Sequence, residues 1–547
     1  MAERIEIVNA RMADSGAPLS VRLDGEQIEW VGPPEDMPND ANITRRIDAQ
    51  GQVLLPGFCD SHLHLFWGGV TLDQLDMLQI TDREAATSAL RAFASQHPDE
   101  QLLCAFSANY TFLGAGTRPD RHALDAIVPD RAFLIMAVDG HTAWANSAAL
   151  ELAGLTDAVP HLRGAEVVCD ASGAPTGELR EGGAMDLVQR FAANGGREGI
   201  CMAGDEPAAS ASDRARDKAT LRRALATCAS YGITTAVNMD GNLYQASLLG
   251  EMAQAGELPI RVSLPMRIAP HHDAARIAAL IEAAQQPPIG KLSFGRIKMF
   301  MDGVFDSWTA YRTDDYPGRE GDRGAPLFTP EQFNAICCQA DAAGLQIQVH
   351  CVGDAAVRAT LDGYQAAQQA NGARDARHRI EHIDLLHPDD LERFSRLGVV
   401  ASMQPVHPPG SSGLPLEPTV SIIGRNRWGD TFPWAALHHA GVPLAFGTDW
   451  PTAPLSPFNA IHAALSRQPW APDCPDQRLP LSEVLRAYTA GGAYAIFADG
   501  VRGHLAPAQQ ADLVLLSQDP HDLALDAATC HATLTICAGD IIHEVSR

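Results

Sequence analysis

The sequence is short of positive charge, with 41 Lys and Arg residues against 67 Asp and Glu residues, and its formal net charge is −26. Because nucleic-acid-binding proteins present a basic face, this balance argues against a nucleic-acid partner. The sequence also lacks any run of about 18 apolar residues and any N-terminal apolar segment of signal-peptide length. We therefore expect a cytoplasmic protein that does not bind membranes.

Cysteine is also scarce, and its pattern is not that of a disulfide scaffold. The 547 residues include 11 cysteines, an odd number, and none of them forms a Cys-x-x-Cys pair. We expect a reducing compartment and no disulfide framework. The glycines have neither the dinucleotide-binding nor the P-loop spacing, so a nucleotide cofactor is not supported. The remaining composition, 46% hydrophobic and 20% charged, is that of a globular protein with a large core.

Short apolar runs that alternate with turn residues occupy both ends of the chain. In residues 1–55 these runs have a period of two, and Asp24-Gly25 separates two of them, which favours β-hairpins. A second set, ADLVLLSQ and ATLTICAGDIIHEVSR, closes the chain. We predict one composite β-sandwich domain built from residues 1–55 and 500–547.

Between these ends, eight short apolar strands alternate with Ala- and Leu-rich helical stretches. The predicted helices at 219–232 and 331–344 end at a glycine just before the next strand, as helix C-caps do. This rhythm predicts an α/β fold, a (β/α)8 TIM-type barrel over residues 56–499. A stretch from about 81 to 215 breaks the rhythm and contains a strand of its own, FLIMAVDGHTAW. We interpret it as an insertion that caps the barrel mouth.

Metal-ligating residue types stand at the carboxyl ends of five predicted barrel strands, where barrel enzymes place their active sites. They are His62, His64, Lys298, His350, His382 and Asp449. His62 and His64 are two residues apart on one strand and therefore face the same side. A His-x-His pair is common by chance, so its weight comes from its place at a strand end. Imidazole and carboxylate together suit zinc, which polarises carbonyls and activates water.

Several strings of the sequence resemble motifs of the amidohydrolase superfamily and, specifically, of its YtcJ-like (Amidohydro_3) branch, which includes N-substituted formamide deformylase. They are PGFCDSHLHLFWGG, DGHTAWANSAAL, KMFMDG, QVHCVGDAAV, RIEHID, SMQPVHP and FGTDWP. The resemblance spans nearly the whole chain and implies a barrel with a β-sandwich and one or two metal ions, usually zinc. Carried over residue by residue, it gives the six strand-end residues named above as the metal ligands.

Lys298 and Asp449 each have two interpretations. The resemblance implies that Lys298 is carboxylated on its side-chain nitrogen and bridges two metal ions. The alternative is an ion pair with Asp302 or another carboxylate, which would leave a mononuclear site. Asp449 is predicted to take a proton from the attacking water and to deliver it to the leaving amine. Its alternative is an ordinary turn or N-cap aspartate.

The block DGHTAWANSAAL resembles the family's signature loop beside the substrate, which predicts that Asp139, His141, Trp144 and Asn146 lie near the substrate. His141 is the candidate donor to the oxygen on which negative charge develops. The alternative is a strand followed by a helix that Asn146 caps. His407, at a further strand end, is predicted to shape the substrate pocket.

These observations predict a metal-dependent hydrolase that cleaves a non-peptide carbon–nitrogen bond in a small molecule, such as an N-acyl, N-formyl or cyclic amide. An ester, a lactone or a carbamate could be cleaved at the same site, because metal-hydroxide attack does not itself choose the leaving group. A rival of another class is a barrel that binds ligands without catalysis, although such proteins typically lose metal ligands. A homodimer is a further expectation.

Overall fold

The computed structural model of the protein describes residues 3–545 except 115, 139, 157–158, 163–164, 412–413, 525–526 and 528. The strands are β1 (Arg4–Arg11), β2 (Pro18–Asp24), β3 (Gln27–Gly32), β4 (Arg45–Asp48), β5 (Val53–Pro56), β6 (Phe58–Leu63), β7 (Leu75–Asp76), β8 (Leu103–Ala108), β9 (Phe133–Ala137), β10 (Thr142–Ala145), β11 (Glu166–Cys169), β12 (Pro175–Arg180), β13 (Ile233–Asn238), β14 (Arg261–Ser263), β15 (Met266–Arg267), β16 (Leu292–Ser293), β17 (Arg296–Phe300), β18 (Gln346–Cys351), β19 (Arg379–His382), β20 (Val400–Met403), β21 (Leu444–Phe446), β22 (Leu513–Leu516), β23 (Ala532–Cys537) and β24 (Asp540–Glu544).

The helices are α1 (Leu65–Thr71), α2 (Arg83–Gln96), α3 (Arg121–Asp125), α4 (Ser147–Leu152), α5 (Gly182–Gln189), α6 (Arg197–Ala203), α7 (Ala211–Ser230), α8 (Leu243–Gln254), α9 (Ala274–Ala284), α10 (Pro330–Ala342), α11 (Asp354–Asn371), α12 (Leu391–Leu397), α13 (Thr419–Ile423), α14 (Trp434–His439), α15 (Pro457–Ser466), α16 (Leu481–Tyr488) and α17 (Ala490–Ala495). Within the described ranges, no helix is both long and apolar enough to cross a membrane.

The two ends of the chain meet in one eight-stranded sheet with the order β24-β23-β22-β5-β1-β2-β3, in which β4 pairs with β1. Alternate residues of the central strands pack in two different apolar cores, because successive side chains of a strand point to opposite faces of the sheet. Leu54 and Leu513 pack in the apolar cluster of this sheet, whereas Leu55 and Val514 pack in the cluster of the barrel. Strands from both ends of the chain thus share one sheet, which is fixed to the barrel through β5 and β22.

The eight predicted barrel strands are all present, as β6, β13, β14 with β15, β17, β18, β19, β20 and β21. Their pairings are parallel, but the ladder is interrupted between β14 and β15, where Pro265 lacks a backbone N–H. On the other side, Asp449 N donates to His62 O at 2.7 Å and His64 N donates to Trp450 O at 2.8 Å. These two bonds join the end of β21 to β6, and the predicted (β/α)8 fold class is confirmed.

The inserted segment forms a six-stranded sheet of its own, in the order β11-β12-β10-β9-β8-β7. It carries two apolar clusters that are separate from the barrel core. The segment begins at Leu75, earlier than the predicted residue 81, because the two-residue β7 is too short to show a period in the sequence. Helix α7, part of which falls inside the predicted insertion, packs on α1 and β13 and belongs to the barrel.

The helices of the barrel begin and end where the local sequence predicts. Ser210 and Thr329 form capping boxes at the starts of α7 and α10, and each satisfies a backbone N–H of the first turn. Gly232 and Gly344, which follow these helices, have φ of +80° and +76° and turn the chain into the next strand. Both predicted glycine C-caps are therefore present.

Candidate metal centre and active-site cavity

Asp449 is the centre of the site, and its Oδ1 atom lies between two imidazoles. His62 Nε2 is 3.4 Å and His64 Nε2 is 3.1 Å from this oxygen. All three side chains are buried, because β6 is buried along its whole length and delivers both histidines to the carboxyl end of the barrel. The structure thus brings together the His-x-His pair and the aspartate that the sequence places more than 380 residues further along the chain.

The other carboxylate oxygen of Asp449 faces a second group of histidines. His407 Nε2 is 3.5 Å from Asp449 Oδ2, and the His407 ring stacks on the His382 ring with centroids 5.7 Å apart. Potential ligand atoms of His382, His407 and Asp449 lie within 4.8 Å of one another, as do those of His62, His64 and Asp449. His407, predicted as a substrate-binding residue, therefore lies among the potential metal ligands as well as at the cavity wall.

The backbone is strained at two of the predicted ligands. His382 has a φ of +75° and Asp449 a φ of +59°, the left-handed region that residues other than glycine rarely adopt. Such conformations cost about 1–3 kcal/mol each and persist where the surrounding structure enforces them, commonly at active sites. His382 is the last residue of β19, and Asp449 follows the end of β21 by three residues.

His350 and Lys298 are the two remaining residues of the predicted metal-ligand set. The His350 ring lies 4.4 Å from the His382 ring, and its Nε2 is 3.1 Å from the carbonyl oxygen of Gly303. Lys298 is fully buried, and its Nζ has no hydrogen-bond partner in the described part of the chain. Burial lowers the pKa of Lys298 to about 8, against the opposing effect of Glu381 and Asp449.

The alternative ion pair between Lys298 and Asp302 is not what the structure contains. Asp302 accepts hydrogen bonds from the backbone N–H groups of Tyr311, Val352 and Gly353 at 2.8 to 3.0 Å. Burial raises the pKa of this carboxyl to about 7, which these amides only partly offset. Asp302 therefore fixes the loops after β17 and β18 and is not committed to the lysine.

A buried carboxylate that the sequence analysis did not single out orients His62. Glu381 Oε2 accepts from His62 Nδ1 at 2.8 Å, and the guanidinium of Arg379 donates to both oxygens of Glu381. Because Glu381 fixes the Nδ1–H tautomer, Nε2 of His62 keeps its lone pair toward Asp449. Arg379 in turn donates to Ser61 O and Ser402 Oγ and ties three barrel strands together.

Asp60 is a second residue that the sequence analysis missed. Its Oδ1 accepts from the backbone N–H groups of His62 and Thr448, each at 3.1 Å, and its Oδ2 accepts from Thr448 Oγ1 at 2.7 Å. Gly447 permits this approach, since a Cβ there would lie 2.5 Å from His62 N. Asp60 thereby holds the strand ends that carry His62 and Asp449 at a fixed separation. Its only signal in the sequence is a carboxylate inside an apolar strand, two residues before His62.

The donor atoms of the site fit a metal ion. His382 Nε2, His407 Nε2 and Lys298 Nζ are buried and have no hydrogen-bond partner among the described residues. Leaving a buried polar atom unsatisfied costs about 1–3 kcal/mol, so a cluster of them indicates a group that binds them all. Burial first, and then Lys298, lowers the pKa of His62 and of His350 well below the ordinary value. Neutral imidazoles are the form that coordinates metal.

The inserted segment and the barrel enclose a cavity of about 800 Å³ over these residues. His141, in the turn between β9 and β10, lines it, and its Nδ1 lies 2.8 Å from Glu181 Oε2. His141 is near enough to affect the pKa values of His350 and Asp302 across the cavity. When Glu181 Oε2 accepts a hydrogen bond from His141 Nδ1, Nε2 can donate a hydrogen bond only if the ring carries both protons.

Trp144 and Asn146 do not line the cavity, and their assignment to substrate binding is corrected here. Trp144 packs behind the cavity wall, with its ring centroid 5.2 Å from that of Tyr110, which does line the cavity. Asn146 is the N-cap of α4, the alternative interpretation of this block. Its side chain accepts from Phe133 N and Ala149 N and donates to two carbonyls, so it has no capacity left for a ligand. Asp139 lies outside the described residues.

Replacing Asn146 with alanine is expected to lower stability without changing substrate affinity. The substitution leaves buried backbone groups of α4 and the β9 edge without partners, which predicts a loss of about 1–3 kcal/mol in the free energy of unfolding. Urea unfolding followed by tryptophan fluorescence measures this loss, and KM is measured on the folded variant. A KM that rises at unchanged stability would restore Asn146 to the substrate site.

Comparisons with known proteins identify the family of the chain. A Bacillus subtilis protein named as an amidohydrolase, YtcJ, is 28% identical over 516 residues, 92% of this chain and 91% of the relative. N-substituted formamide deformylase of Arthrobacter pascens is 24% identical over 535 residues, 95% and 94% of the two chains. An uncharacterized metal-dependent hydrolase from Pyrococcus horikoshii shares the fold, with a TM-score of 0.72 at 22% identity over 96% of this chain and 99% of that one. The Amidohydro_3 model, described as the amidohydrolase family, matches residues 45–543, which confirms the resemblance and shows that the chain is a hydrolase of the amidohydrolase family.

Proposed function

We propose that this hydrolase cleaves a non-peptide carbon–nitrogen bond of a small molecule, such as an N-acyl, N-formyl or cyclic amide. The observation that carries the proposal is Asp449, whose two oxygens face two separate groups of imidazoles on the wall of a cavity. A cavity of about 800 Å³ lies in the range of small-molecule sites, roughly 300–1,000 Å³. The relative named as a deformylase of N-substituted formamides belongs to this class of reaction.

The buried donor atoms would hold one or two divalent ions, and zinc suits a set of imidazoles and carboxylates. The ligands proposed are His62, His64, His350, His382 and Asp449, joined by Lys298 as a bridging carboxylate. When bound, such an ion polarises the substrate carbonyl and activates water. Carboxylation of Lys298 joins its uncharged Nζ to carbon dioxide with loss of one proton. This would account for a buried lysine that is surrounded by imidazoles and has no ion-pair partner in the described chain.

Asp449 is the residue proposed to transfer the proton. His62 and His64 contact Oδ1, so Oδ2 is the oxygen proposed to accept the proton of the attacking water. Although burial opposes it, the neighbouring histidines lower the pKa of Asp449 below its ordinary value, and the carboxylate is ready as a base at neutral pH. The same oxygen then returns the proton to the nitrogen of the leaving amine, which departs as a neutral molecule.

His141 is proposed to stabilise the negative charge that develops on the carbonyl oxygen. It lies on the inserted segment opposite the histidine groups, and Glu181 stabilises its imidazolium form. A preorganised donor of this kind contributes most when water is excluded from the site. The substrate would therefore lie between the barrel end and the turn that follows β9.

An ester, lactone or carbamate substrate is the alternative for the same residues, because the leaving group affects only the last proton transfer. A protein that binds ligands without catalysis is the rival of another class. The predicted ligand positions all carry ligand-type side chains, which favours catalysis over that rival.

Purified protein that contains its metal is expected to hydrolyse members of a panel of N-formyl, N-acyl and cyclic amides faster than matched esters. His141→Asn is expected to lower kcat by about 10²- to 10³-fold with little change in KM, because the oxyanion donor acts in the transition state. His271→Gln is the matched control, since His271 is another cavity-lining histidine that has no part in the proposed reaction. Faster turnover of esters would favour the alternative. Protein that purifies without a transition metal and hydrolyses nothing after divalent metal is added would favour the binding protein.

A further inference from the structure

We propose that Arg267 determines substrate specificity by binding one carboxylate group of the substrate. The substrate class is then an N-acyl or N-formyl amino acid, with its carboxylate beside the amide that is cleaved. This inference rests on the amide hydrolysis proposed above and specifies its substrate.

Arg267 ends β15 and lines the cavity, and two of its three guanidinium nitrogens have no hydrogen-bond partner in the described chain. Nε and Nη1 are buried without hydrogen bonds among the residues that the structure describes, while the Cζ atom lies 3.8 Å from the centroid of the Phe300 ring. Asp240 and Asp205 act on it electrostatically, but in the described chain neither forms an ion pair with it at 4.0 Å or less. A cation that is held flat on an aromatic ring with its donors unsatisfied is prepared to bind an anion.

The charge of the cavity indicates an anion with a single charge. Arg267 is the one Arg or Lys among the described lining residues, which also include the acidic side chains Glu181, Asp322 and Glu417. A dianionic phosphate would be repelled by the ionised members of this set, and one guanidinium cannot neutralise it. A carboxylate carries one negative charge and matches the planar fork of a guanidinium.

The position of Arg267 places a bound anion close to the bond that is cleaved. In the pairing of β15 with β17, Arg267 is opposite Lys298, so both side chains leave the barrel wall side by side. The Phe300 ring that supports the guanidinium also stacks on His350, with centroids 4.6 Å apart and an interplanar angle of 16°. A carboxylate on Arg267 therefore lies next to the candidate metal centre, as the α-carboxylate of an N-acyl amino acid would.

The same geometry allows another role, in which Arg267 neutralises a carboxylated Lys298 and does not contact the substrate. The two roles differ in what the loss of the guanidinium does to uncharged substrates. If Arg267 neutralises a carboxylated Lys298, removal of the guanidinium slows the cleavage of every substrate. If Arg267 binds the substrate carboxylate, its removal affects only substrates that carry this group.

The test compares two substrates that differ only in the carboxylate, N-formylphenylalanine and N-formylphenethylamine. With the wild-type holoenzyme, kcat/KM is expected to be roughly 30- to 100-fold higher for the carboxylate substrate, the value of a charge-assisted hydrogen-bonded pair. Arg267→Met is expected to remove this preference by raising KM for N-formylphenylalanine, and to leave turnover of N-formylphenethylamine unchanged. Arg276→Met is the matched control, because Arg276 pairs with Glu206 and does not line the cavity.

Equal kcat/KM values for the two substrates in the wild type, or an equal loss for both in Arg267→Met, would overturn the proposal. Titration calorimetry with the sulfonamides N-mesylphenylalanine and N-mesylphenethylamine, which resist hydrolysis, measures binding separately. If the wild type hydrolyses no formamide and no other amide of the panel above, the proposed function fails, and these titrations still decide the role of Arg267. A carboxylate-specific affinity that Arg267→Met abolishes supports the role, and equal affinities for the two sulfonamides refute it.

Discussion

Replacing Asp449 with asparagine is expected to lower kcat by about 10³- to 10⁴-fold, the upper range for the loss of a general base. Asparagine keeps the shape of the side chain but cannot accept a proton, and its amide group would meet the imidazoles of His62 and His64 without a negative charge. KM is expected to change little, because Asp449 acts on the water and the leaving group. Steady-state kinetics on amine release, with circular dichroism as the check on folding, measure the effect.

Asp384→Asn is the matched control for this experiment. Asp384 also lines the cavity, and burial, followed by repulsion from Asp302 and Asp449, raises its pKa well above the ordinary value. This shift favours the protonated carboxyl, which an asparagine resembles in shape and charge. This variant is expected to retain most of the wild-type turnover. Full activity of Asp449→Asn would refute the proposed base, and an equal loss in both variants would assign the effect to the overall charge of the cavity.

The convergence of His62, His64 and Asp449 could be predicted because strand periodicity and barrel topology are both visible in a sequence. Each of these residues follows an apolar run, and the carboxyl ends of parallel strands meet at one end of a barrel. His407 was placed at a strand end for the same reason. The sequence could not show that its Nε2 faces Asp449 Oδ2, because that depends on the chain path after β20.

Glu381, Asp60 and Arg267 could not be assigned from the sequence, because a single charged residue in an apolar strand does not reveal its partner. Glu381 meets His62 from a position 319 residues away, and only the folded barrel brings the two together. Trp144 and Asn146 show the opposite error. The motif that contains them is present. However, the same sequence can form a strand that packs behind the cavity wall and a helix cap, as well as a loop that contacts the substrate. The sequence therefore indicates the candidate ligands more readily than the residues that position them.

The chain has few lysines, so the role of Lys298 can be tested by comparing it with the others. The three lysines are Lys218, Lys291 and Lys298. Lys218 pairs with Glu251 at 2.9 Å and Lys291 donates to Pro259 O at 3.0 Å, whereas Lys298 Nζ has no hydrogen-bond partner in the described chain. Of the three, Lys298 is therefore the one whose surroundings favour the uncharged amine that reacts with carbon dioxide.

Lys298→Ala is expected to reduce the metal content from about two ions per chain to one or none, and kcat by about 10³-fold, equivalent to ~4 kcal/mol. Alanine removes the proposed bridging carboxylate and leaves a cavity among His62, His350 and His382. A small carboxylic acid such as propionate can enter this cavity, and partial recovery of activity is expected when it is added. Elemental analysis, with and without bicarbonate during metal loading, gives the metal content, and intact-protein mass spectrometry detects one added carbon dioxide.

Lys291→Ala, the matched control, is expected to keep both metal ions and full activity, because Lys291 lies at the barrel surface away from the site. A single tightly bound ion per wild-type chain, insensitive to bicarbonate and unchanged in Lys298→Ala, would contradict carboxylation and favour a mononuclear site. In that case a neutral lysine beside His350 would still donate to the substrate or to water, and propionate would restore nothing. Metal content and rescue therefore separate a bridging carboxylate from a lysine that acts as an amine.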